Sequence, residues 1–464
     1  MLWSSMEFKQ LNLSNELIEN LNSLGFTAMT PIQEESLPVI LEGADIIGQA
    51  KTGSGKTAAF GLGVLNSLNL KSSRPQSLIL CPTRELADQV AKEIRRLARL
   101  TSNVKVTTIC GGTSEYHQIR SLAHGSHIIV GTPGRVLKFL KDDHFDISEI
   151  TSLVLDEADR MLDMGFYDPI REIETFLPLE GRQTLLFSAT YPDEIMELSS
   201  ALQNAPKFVK VDSEHEENSI EQIFFELNSH KEKLELLSKL LAKYNPESTV
   251  VFCKTKRTCD EVADFLKKEQ ISALAIHGDH EQKDRTLALS KFSNRSCLVL
   301  VATDVAARGI DVKDLGLVVN FDISTDPEVH VHRIGRTGRI GKEGLALSLF
   351  ISKELYKVEA IEDYTDTAAK ITHIDEFIEA DTPYSMIPPM TTIYISGGKK
   401  DKIRPGDIVG AIIGTSGIAA EDIGDINVMN ILSYVAVSSD KVQDVINGLS
   451  NGKIKKRRFR IGLA

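Results

Sequence analysis

Short, mostly apolar runs alternate with longer stretches of mixed apolar and polar residues through the first 210 positions. Such runs occur at 77–80, 104–109, 127–130 and 183–187. Near-continuous apolar runs, in place of strict apolar–polar alternation, are typical of strands buried on both faces of a parallel sheet. With helical stretches between the strands, the pattern predicts an α/β fold whose parallel sheet is wrapped by helices.

The same alternation begins again after a polar, acidic segment at 211–219, which we interpret as a linker. The second set of predicted strands lies at 249–252, 273–276, 297–301 and 317–320. A proline-containing stretch at 379–390 indicates another boundary, and the last ~75 residues suffice for a small α+β domain. Its predicted elements are strand 391–396, helix 405–413 and strand 431–437. We therefore expect three domains, at 1–210, 220–372 and 391–464.

Composition favours a soluble globular protein, with 464 residues of which 42% are hydrophobic and 25% charged. No apolar run approaches the ~20 residues that span a bilayer, and the N-terminal stretch lacks the hydrophobic core of a signal peptide. The five cysteines lack metal-binding spacing, as expected of reduced thiols in the cytoplasm. Cys81, Cys253 and Cys297 adjoin predicted strands and are expected in the core. We expect a cytoplasmic monomer with no membrane partner.

Net charge alone argues against a nucleic-acid partner, but the distribution of charge does not. The chain carries a formal charge of −12, whereas residues 391–464 hold 11 Lys and Arg against 7 Asp and Glu. The excess is concentrated in a basic run at 453–460. Such a tail is a candidate nucleic-acid contact, although a solvated basic terminus would have the same composition.

A glycine-rich run, Gly53-Ser54-Gly55-Lys56-Thr57, lies between a predicted strand at 44–50 and a predicted helix. A strand, a glycine loop and a helix together aim backbone N–H groups and the helix N-terminus at a phosphate. The Lys56 ammonium is suited to the β- and γ-phosphates of ATP, and the Thr57 hydroxyl to Mg²⁺. The alternative is a glycine turn that caps an ordinary helix.

An acidic pair follows the apolar run at 152–155. Because ligands of open α/β sheets bind at the carboxyl ends of strands, Asp156 and Glu157 are placed to act on the same phosphates. We expect Asp156 to hold Mg²⁺ and Glu157 to orient and activate the attacking water. A solvated turn would explain the charges but not the hydrophobic strand that precedes them.

Together with other short motifs, these runs recur in an order that resembles the DEAD-box family of ATP-dependent RNA helicases, over roughly residues 6–372. The matching segments are 25–33, 50–57, 82–87, 111–112, 132–135, 154–159, 188–190, 277–285, 303–311 and 332–339. The resemblance implies two RecA-like domains, with ATP and RNA bound across their cleft, and an RNA-dependent ATPase that locally unwinds or remodels structured RNA. Two other interpretations stay open, an ATP-gated RNA clamp with little unwinding and a DNA-translocating motor.

The resemblance also implies roles for individual residues. Gln33 corresponds to a residue that reads adenine and Phe8 to one that stacks on it, although Phe8 is equally suited to a hydrophobic staple. Ser188 and Thr190 are expected to bond Asp159 and to couple hydrolysis to strand separation. The other implied residues are Asp311 near the ribose, Arg336 and Arg339 as arginine fingers, and Arg84, Gly112, Thr132, Arg135, Arg285 and Thr303 on the RNA backbone. The two finger arginines could instead belong to a surface salt-bridge ladder.

The tail from residue 391 is similar to the C-terminal RNA-recognition domain of DbpA-type helicases, which is RRM-like. That similarity implies large-subunit ribosomal RNA as the partner and ribosome assembly as the process. Strand alternation turns Tyr394 and Tyr434 outward, where an RRM stacks bases, but Ala436 replaces the second aromatic of the central strand. The expected RNA contacts are Tyr394, Lys399, Lys400, Lys402, Arg404, Lys455, Lys456, Arg457, Arg458 and Arg460.

Overall fold

The structure is a computed structural model that describes residues 7–50, 53–178, 180–211, 220–307, 315–338, 344–373 and 386–464. The described residues form two compact units, the first ending at Val211 and the second beginning at Ile220. Residues 212–219 of the predicted linker and 379–385 of the predicted boundary lie outside the described residues.

The first unit is built on a seven-stranded parallel sheet. Its strands are β1 (Ile46–Gln49), β2 (Ser77–Leu80), β3 (Val106–Ile109), β4 (Ile128–Gly131), β5 (Ser152–Asp156), β6 (Gln183–Ser188) and β7 (Lys207–Lys210). They lie in the order β3-β4-β2-β5-β6-β1-β7. Because β2, β4 and β5 are buried along their whole length, their sequences are apolar on both faces.

Helices pack on the sheet of the first unit. They are α1 (Asn15–Ser23), α2 (Pro31–Leu41), α3 (Lys56–Asn66), α4 (Arg84–Leu97), α5 (Glu115–Ala123), α6 (Pro133–Lys141), α7 (Ala158–Asp163), α8 (Tyr167–Phe176) and α9 (Asp193–Leu202). Helix α4 begins where the Thr83 hydroxyl accepts a hydrogen bond from the Leu86 N–H at 3.2 Å. Leu86, Val90 and Ile94 recur at helical spacing and are buried, so one face of α4 joins the core.

The second unit repeats this architecture. Its first seven strands are β8 (Ile220–Leu227), β9 (Thr249–Cys253), β10 (Ala273–Ile276), β11 (Val299–Thr303), β12 (Leu317–Asn320), β13 (Gly344–Ile351) and β14 (Ile371–His373). They form a parallel sheet in the order β10-β11-β9-β12-β13-β8-β14. The helices are α10 (His230–Tyr244), α11 (Lys256–Lys268), α12 (Gln282–Ser293), α13 (Asp304–Ala307), α14 (Pro327–Ile334) and α15 (Leu355–Thr365). Over the described ranges, no helix of either unit is long and apolar enough to cross a membrane.

A buried arginine ties elements of the second unit together. Arg333 is 4% exposed and donates from Nε and Nη2 to the two carboxylate oxygens of Asp304, at 2.6 and 2.8 Å. Its Nη1 donates to the Asn320 side chain at 3.1 Å and to the Asp322 carbonyl at 2.7 Å. Since Asp304 directly follows β11 and Asn320 ends β12, this one guanidinium fixes the carboxyl ends of two strands.

The residues from Met390 onward form a small α+β domain within the second unit. Its elements are β15 (Met390–Ile395), α16 (Pro405–Ser416), β16 (Ile423–Val428), β17 (Ser433–Ser438), α17 (Val442–Asn451) and β18 (Ile461–Leu463). The strands pair antiparallel in the order β16-β17-β15-β18, the βαββαβ arrangement expected of an RRM-like domain. As predicted, Ile393, Ile395, Val435 and Val437 are buried, and they pack with apolar residues of both helices.

The cysteines are all free thiols and all buried, as predicted for Cys81, Cys253 and Cys297. Burial raises the pKa of the Cys81 thiol well above its ordinary value and that of Cys297 to about 11. Such thiols stay protonated near neutral pH and react slowly with thiol reagents.

Candidate nucleotide site and nucleic-acid interface

Apart from Phe8 and Gln33, which precede β1, the predicted site residues of the first unit lie at the carboxyl edge of its sheet. The others expected to bind nucleotide follow β1 or lie at the end of β5, and those expected to couple hydrolysis to strand separation lie just after β5 and at the end of β6. Those expected to bind RNA follow β2, β3 and β4, which are neighbours on the other half of the sheet. The predicted nucleotide half and the predicted RNA half of this edge meet where β2 pairs with β5.

The glycine-rich loop between β1 and α3 has the shape of a phosphate cradle. Gly53 and Gly55 have φ of 87° and 100°, in the left-handed region that favours glycine, and Gly55 is the N-cap of α3. Lys56 is buried, and its ammonium donates to the Ala50 carbonyl at 2.6 Å. Among the described residues, the buried Ser54 hydroxyl has no hydrogen-bond partner. This hydroxyl and an ammonium that bonds to loop backbone fit a site that receives phosphate oxygens.

Gln33, the predicted adenine reader, contacts the glycine-rich loop. Its Nε2 donates to the Gly55 carbonyl at 3.1 Å, and its Oε1 accepts from the Thr30 N–H at 3.0 Å. A Cβ at Gly55 would lie 2.5 Å from Gln33 Nε2, so this contact requires glycine. Phe8 is buried and meets Phe26 edge-on, with ring centroids 6.2 Å apart, as a packing residue does. Adenine contact by either residue stays a prediction.

Two carboxylates stand at the junction of β5 and α7. Asp156 ends β5 and is 3% exposed; burial raises the pKa of its carboxyl to about 7, against the opposing effect of the Lys56 ammonium. Glu157 has φ of 54° and ψ of 55°, a left-handed conformation that costs about 1–2 kcal/mol for a residue with a side chain. A divalent cation would favour the ionised form of Asp156, so this buried carboxylate fits Mg²⁺. Thr57, the second residue of α3, stays the predicted partner ligand.

Asp159, in the first turn of α7, is bonded to the end of β6 and the residues that follow. Its Oδ2 accepts from the Thr190 N–H at 3.3 Å and from the Thr190 hydroxyl at 3.2 Å. Its own N–H donates to the Ser188 hydroxyl at 3.2 Å. The three residues that were expected to couple hydrolysis to strand separation therefore share one buried hydrogen-bonded cluster, next to the carboxylates that follow β5.

In the RNA half of the edge, the Arg84 side chain lies against Gly112. Arg84 opens α4, and Gly112 follows β3 with φ of 68°. A Cβ at Gly112 would lie 2.0 Å from Arg84 Nη2 and 2.8 Å from its Cζ. The left-handed backbone therefore favours glycine, and any larger residue would also displace the guanidinium from this position.

Thr132 and Arg135 occupy the start of α6, after β4. Thr132 is the N-cap, and Arg135 lies in the first turn. Arg135 Nη1 donates to the Thr113 carbonyl at 3.4 Å, and the guanidinium lies 5.6 Å from the centre of the Phe139 ring. These contacts hold the arginine beside the loop that contains Gly112. The four predicted RNA residues of this unit thus follow three adjacent strands, as contact with a continuous phosphate backbone requires.

The predicted RNA residues of the second unit also follow neighbouring strands. Arg285 lies in the first turn of α12, after β10, and Thr303 ends β11. Arg336 follows α14, and its carbonyl accepts from the Leu315 N–H at 3.3 Å. Asp311 and Arg339 lie outside the described residues. The role of Arg336 as a finger stays a prediction.

Sequence reasoning missed Arg333, three residues before Arg336. It pairs with Asp304, the residue directly after Thr303, and so holds the backbone next to a predicted RNA residue. On the same helix, His330 stacks on Phe224, and burial lowers the pKa of its imidazole to about 4. The sequence signal for Arg333 was its charge next to the apolar Ile334, but its partner Asp304 lies 29 residues away along the chain.

The basic residues of the C-terminal domain lie in two exposed segments that contact each other. Lys455 Nζ donates to the Lys402 carbonyl at 2.7 Å, and Arg457 Nη1 lies 3.0 Å from the Asp401 carboxylate. Both segments lie at the end of the sheet where β15 stops and β18 starts. We call them the basic cluster, whose exposed members are Lys399, Lys400, Lys402, Arg404, Lys455, Lys456, Arg457, Arg458 and Arg460.

A tight turn presents two of these lysines. Ile454 and Arg457 exchange backbone hydrogen bonds at 2.9 and 3.0 Å around Lys455 and Lys456. Both lysines have positive φ, of 50° and 66°. Positive φ at both central residues is the pattern of a type I′ turn, which ordinarily takes Asn-Gly. The backbone is therefore held in a conformation that lysine disfavours, and both lysines are exposed, with the Lys455 ammonium also 3.0 Å from the Asp407 carboxylate.

Comparison with known families agrees with this geometry. Residues 30–198 match the DEAD/DEAH box helicase family, residues 232–341 match the helicase conserved C-terminal domain, and residues 392–463 match the DbpA RNA binding domain. The chain belongs to the DEAD-box family of ATP-dependent RNA helicases. It is an RNA-dependent ATPase that binds ATP and RNA, with a DbpA-like RNA-binding domain at its C-terminal end.

Several individual proteins are similar to this chain. The ATP-dependent RNA helicase DbpA of Escherichia coli K12 is 48% identical over 463 residues, which cover 98% of this chain and 99% of that protein. DbpA of Bacillus subtilis 168 is 36% identical over 478 residues, with coverage of 98% and 99%. CshA of Listeria monocytogenes is 44% identical over 359 residues, covering 77% and 69%. The structure of S. cerevisiae Dbp5 bound to RNA and ADP BeF3 has a TM-score of 0.73 and 31% identity, and the match covers 80% of this chain and 96% of Dbp5.

Substitution of Gly112 by alanine should weaken the response to RNA selectively. The new Cβ displaces the Arg84 guanidinium and places alanine in left-handed backbone, at a cost of about 1–2 kcal/mol. We expect a higher RNA concentration for half-maximal ATPase stimulation, with ATP affinity unchanged. An RNA titration of ATPase activity and a separate nucleotide-binding measurement check both parts.

The neighbouring glycine supplies the control. A Cβ at Gly111 would meet no heavy atom within 4 Å, so Gly111→Ala should respond to RNA as the unaltered protein does. If the two variants require the same RNA concentration, the pairing of Arg84 with Gly112 plays no part in RNA binding.

Proposed function

We propose that this helicase remodels large-subunit ribosomal RNA during ribosome assembly, as a cytoplasmic monomer that uses ATP and Mg²⁺. The two RecA-like sheets supply ATP hydrolysis and RNA remodelling. The C-terminal domain selects the RNA on which they act. Five buried free thiols support a reducing compartment. The single observation that carries the proposal is the basic cluster, which adds a second RNA surface outside the helicase motifs.

At the nucleotide, we assign the work to residues of the loop and of the edge after β5. Lys56 exchanges the Ala50 carbonyl for phosphate oxygens, and Ser54 gains an acceptor for its hydroxyl. Asp156 and Thr57 would hold Mg²⁺, whose charge would offset that of the β- and γ-phosphates. Glu157, at the left-handed turn between β5 and α7, orients the attacking water and takes its proton.

The remaining predicted residues complete this mechanism. Arg336 and Arg339 act as arginine fingers, because a planar guanidinium matches the spread charge of a phosphoryl transition state. Arg84, Gly112, Thr132, Arg135, Arg285 and Thr303 hold the RNA backbone. Contact with phosphate and sugar is largely independent of sequence, so these residues contribute affinity for RNA but do not select the target sequence.

Glu157→Gln tests the assignment of the general base. The amide keeps the shape of the side chain but cannot take a proton, so turnover should fall by about 10²–10⁴-fold. ATP and RNA binding should persist, and the variant should accumulate on RNA with ATP bound. Single-turnover hydrolysis and filter binding measure the two quantities. Near-normal RNA-stimulated turnover would transfer the role to another residue.

In this proposal, the basic cluster selects the RNA target. Nine exposed cations lie on two segments that are held together by the contacts of Lys455 and Arg457. Tyr394, half-buried on β15, lies at the margin of the cluster and is the proposed stacking residue. A cluster of this size attracts phosphate strongly, and its fixed shape favours a structured RNA over a flexible strand.

A double substitution removes charge from the cluster while keeping its tight turn. Lys455→Asn with Lys456→Gly leaves the sequence that a type I′ turn prefers, which offsets the loss of the Lys455 contacts to Lys402 and Asp407, and the Arg457 contact to Asp401 remains, so thermal stability should stay close to that of the unaltered protein. Two lost phosphate contacts should lower the salt dependence of RNA affinity by about 1.4–1.8 in log–log slope. Preference for a large-subunit ribosomal RNA fragment over an unrelated hairpin should fall with it. Binding titrations over a salt series measure both effects.

The control removes a cation from the opposite end of the same sheet. Lys441 follows β17 at the end where Ser438 pairs with Met390, away from the basic cluster. Lys441→Gln should leave slope and preference unchanged. An unaltered preference in the double variant would remove the cluster from target selection, and absence of any preference in the unaltered protein would refute the ribosomal assignment.

A further inference from the structure

The C-terminal sheet has one face under its own helices and a second face that points away from them. Register defines the residues of the second face, because side chains alternate along each strand. Tyr394 pairs with Tyr434, which pairs with Asn427, and Thr392 pairs with Ala436 in the next row. We call these five residues the outer face.

The centre of the outer face is closed to solvent. Thr392 is 2% exposed and Ala436 is 0% exposed, although alternation turns both away from the domain core. The Thr392 hydroxyl accepts from Asn294 Nδ2 at 2.9 Å and donates to Ser296 Oγ at 2.8 Å. Asn294 and Ser296 lie in the segment that follows α12, a helix that packs on the second RecA-like sheet.

Helix α12 itself runs along the outer face. Asn427 Nδ2 donates to Ser290 Oγ at 3.4 Å, and Lys291 Nζ donates to the Ala464 carbonyl beside β18 at 2.6 Å. The contacts of α12 and the residues after it therefore reach β16, β15 and the residue that follows β18, so this segment lies across the sheet.

The same stripe of α12 continues towards its first turn. Asp284 lies close enough to Tyr434 to add to the effect of burial, which raises the pKa of the tyrosine hydroxyl. Asp284, Lys291 and Asn294 are separated by seven and three residues, which places them on one side of a helix. Arg285, the predicted RNA residue of α12, is the immediate neighbour of Asp284.

This packing gives a physical reason for Ala436. An RRM that stacks bases needs aromatic rings exposed on this face. Here the position is fully buried, and a large ring would separate the sheet from α12. An alanine and a hydrogen-bonded threonine suit a protein–protein contact better than a base platform.

We propose that the outer face, apart from Tyr394 at its margin beside the basic cluster, is a docking surface for α12, and that RNA selection is made by the basic cluster and Tyr394 while the domain stays docked. The inference rests on the proposed function and specifies the surface that performs it. Docking fixes the position of the basic cluster relative to the second RecA-like sheet. The RNA target is then held at a set distance from Arg285, so the C-terminal domain positions its RNA for the helicase core.

A cysteine pair tests docking in the full-length protein. Ser290→Cys with Asn427→Cys places two thiols at the rim of the contact, and the native cysteines are all buried, so a short bis-maleimide reacts mainly with the new pair. We expect intramolecular cross-linking without RNA, and equally with a large-subunit ribosomal RNA fragment and a non-hydrolysable ATP analogue. Lys231→Cys with Asn427→Cys is the matched control, because Lys231 is an exposed residue of α10. Cross-linking no greater than in this control, or lost when RNA binds, would overturn the inference.

Activity of the locked protein separates the inference from the function beneath it. The cross-linked pair should bind the ribosomal RNA fragment with unchanged affinity and keep its ATPase stimulation. Loss of affinity on cross-linking would show that RNA needs the outer face, and would refute docking as the active state. Efficient cross-linking in a protein that never distinguishes the two RNAs would support docking and refute the ribosomal assignment.

Thr392→Arg approaches the same question from the opposite direction. A buried threonine replaced by arginine cannot remain against Asn294 and Ser296, so cross-linking of the cysteine pair should be lost. Affinity for the ribosomal RNA fragment should persist, because the basic cluster is untouched, while ATPase stimulation by that fragment should fall. A gain in affinity would identify the outer face as a masked RNA site and would contradict the proposal.

Discussion

The hydrogen bonds between Asp159 and the end of β6 are the interaction on which the rest of the first unit depends. Asp159 belongs to the helix that follows the nucleotide carboxylates, and Ser188 and Thr190 belong to the neighbouring strand and its loop. Because Asp159 and Ser188 are buried, an unmade bond between them would cost about 1–3 kcal/mol. A change at the phosphates that moves α7 must therefore move β6 or break these bonds. The predicted RNA residues follow β2, β3 and β4 at the same edge of the sheet.

Strand position decided how much of the fold could be predicted from sequence. Strands in the middle of a parallel sheet are apolar on both faces, and the runs at 77–80 and 317–320 coincide with β2 and β12. Strands β7 and β14 lie at sheet edges and expose most of their residues, so neither has an apolar run to reveal it. Strand β13 is apolar and largely buried and was open to prediction. In the tail, helix 405–413 ends three residues later in the structure, at Ser416.

The candidate site divides in the same way. Residues that lie in contiguous motifs, such as Lys56 and Asp156, could be placed because strand, loop and helix follow one another along the chain. Pairs between distant segments could not. Arg333 with Asp304 and Thr392 with Asn294 each join segments whose sequences show only a charge or a hydroxyl. The alternation of side chains along a strand correctly predicted that Thr392 and Ala436 face away from the domain core. It could not predict that α12 and the residues after it would bury them.

In the proposed mechanism, one sheet edge joins ATP hydrolysis to RNA remodelling through Asp159. The most direct measurement compares ATPase rate with duplex displacement in a variant that carries Ser188→Ala and Thr190→Val, which removes both hydroxyls and leaves Lys56, Asp156 and Glu157 in place. We predict that RNA-stimulated ATP turnover is largely kept while displacement per ATP falls sharply. Equal losses in the two rates, or no loss in either, would contradict the claim that this cluster couples the two halves of the edge.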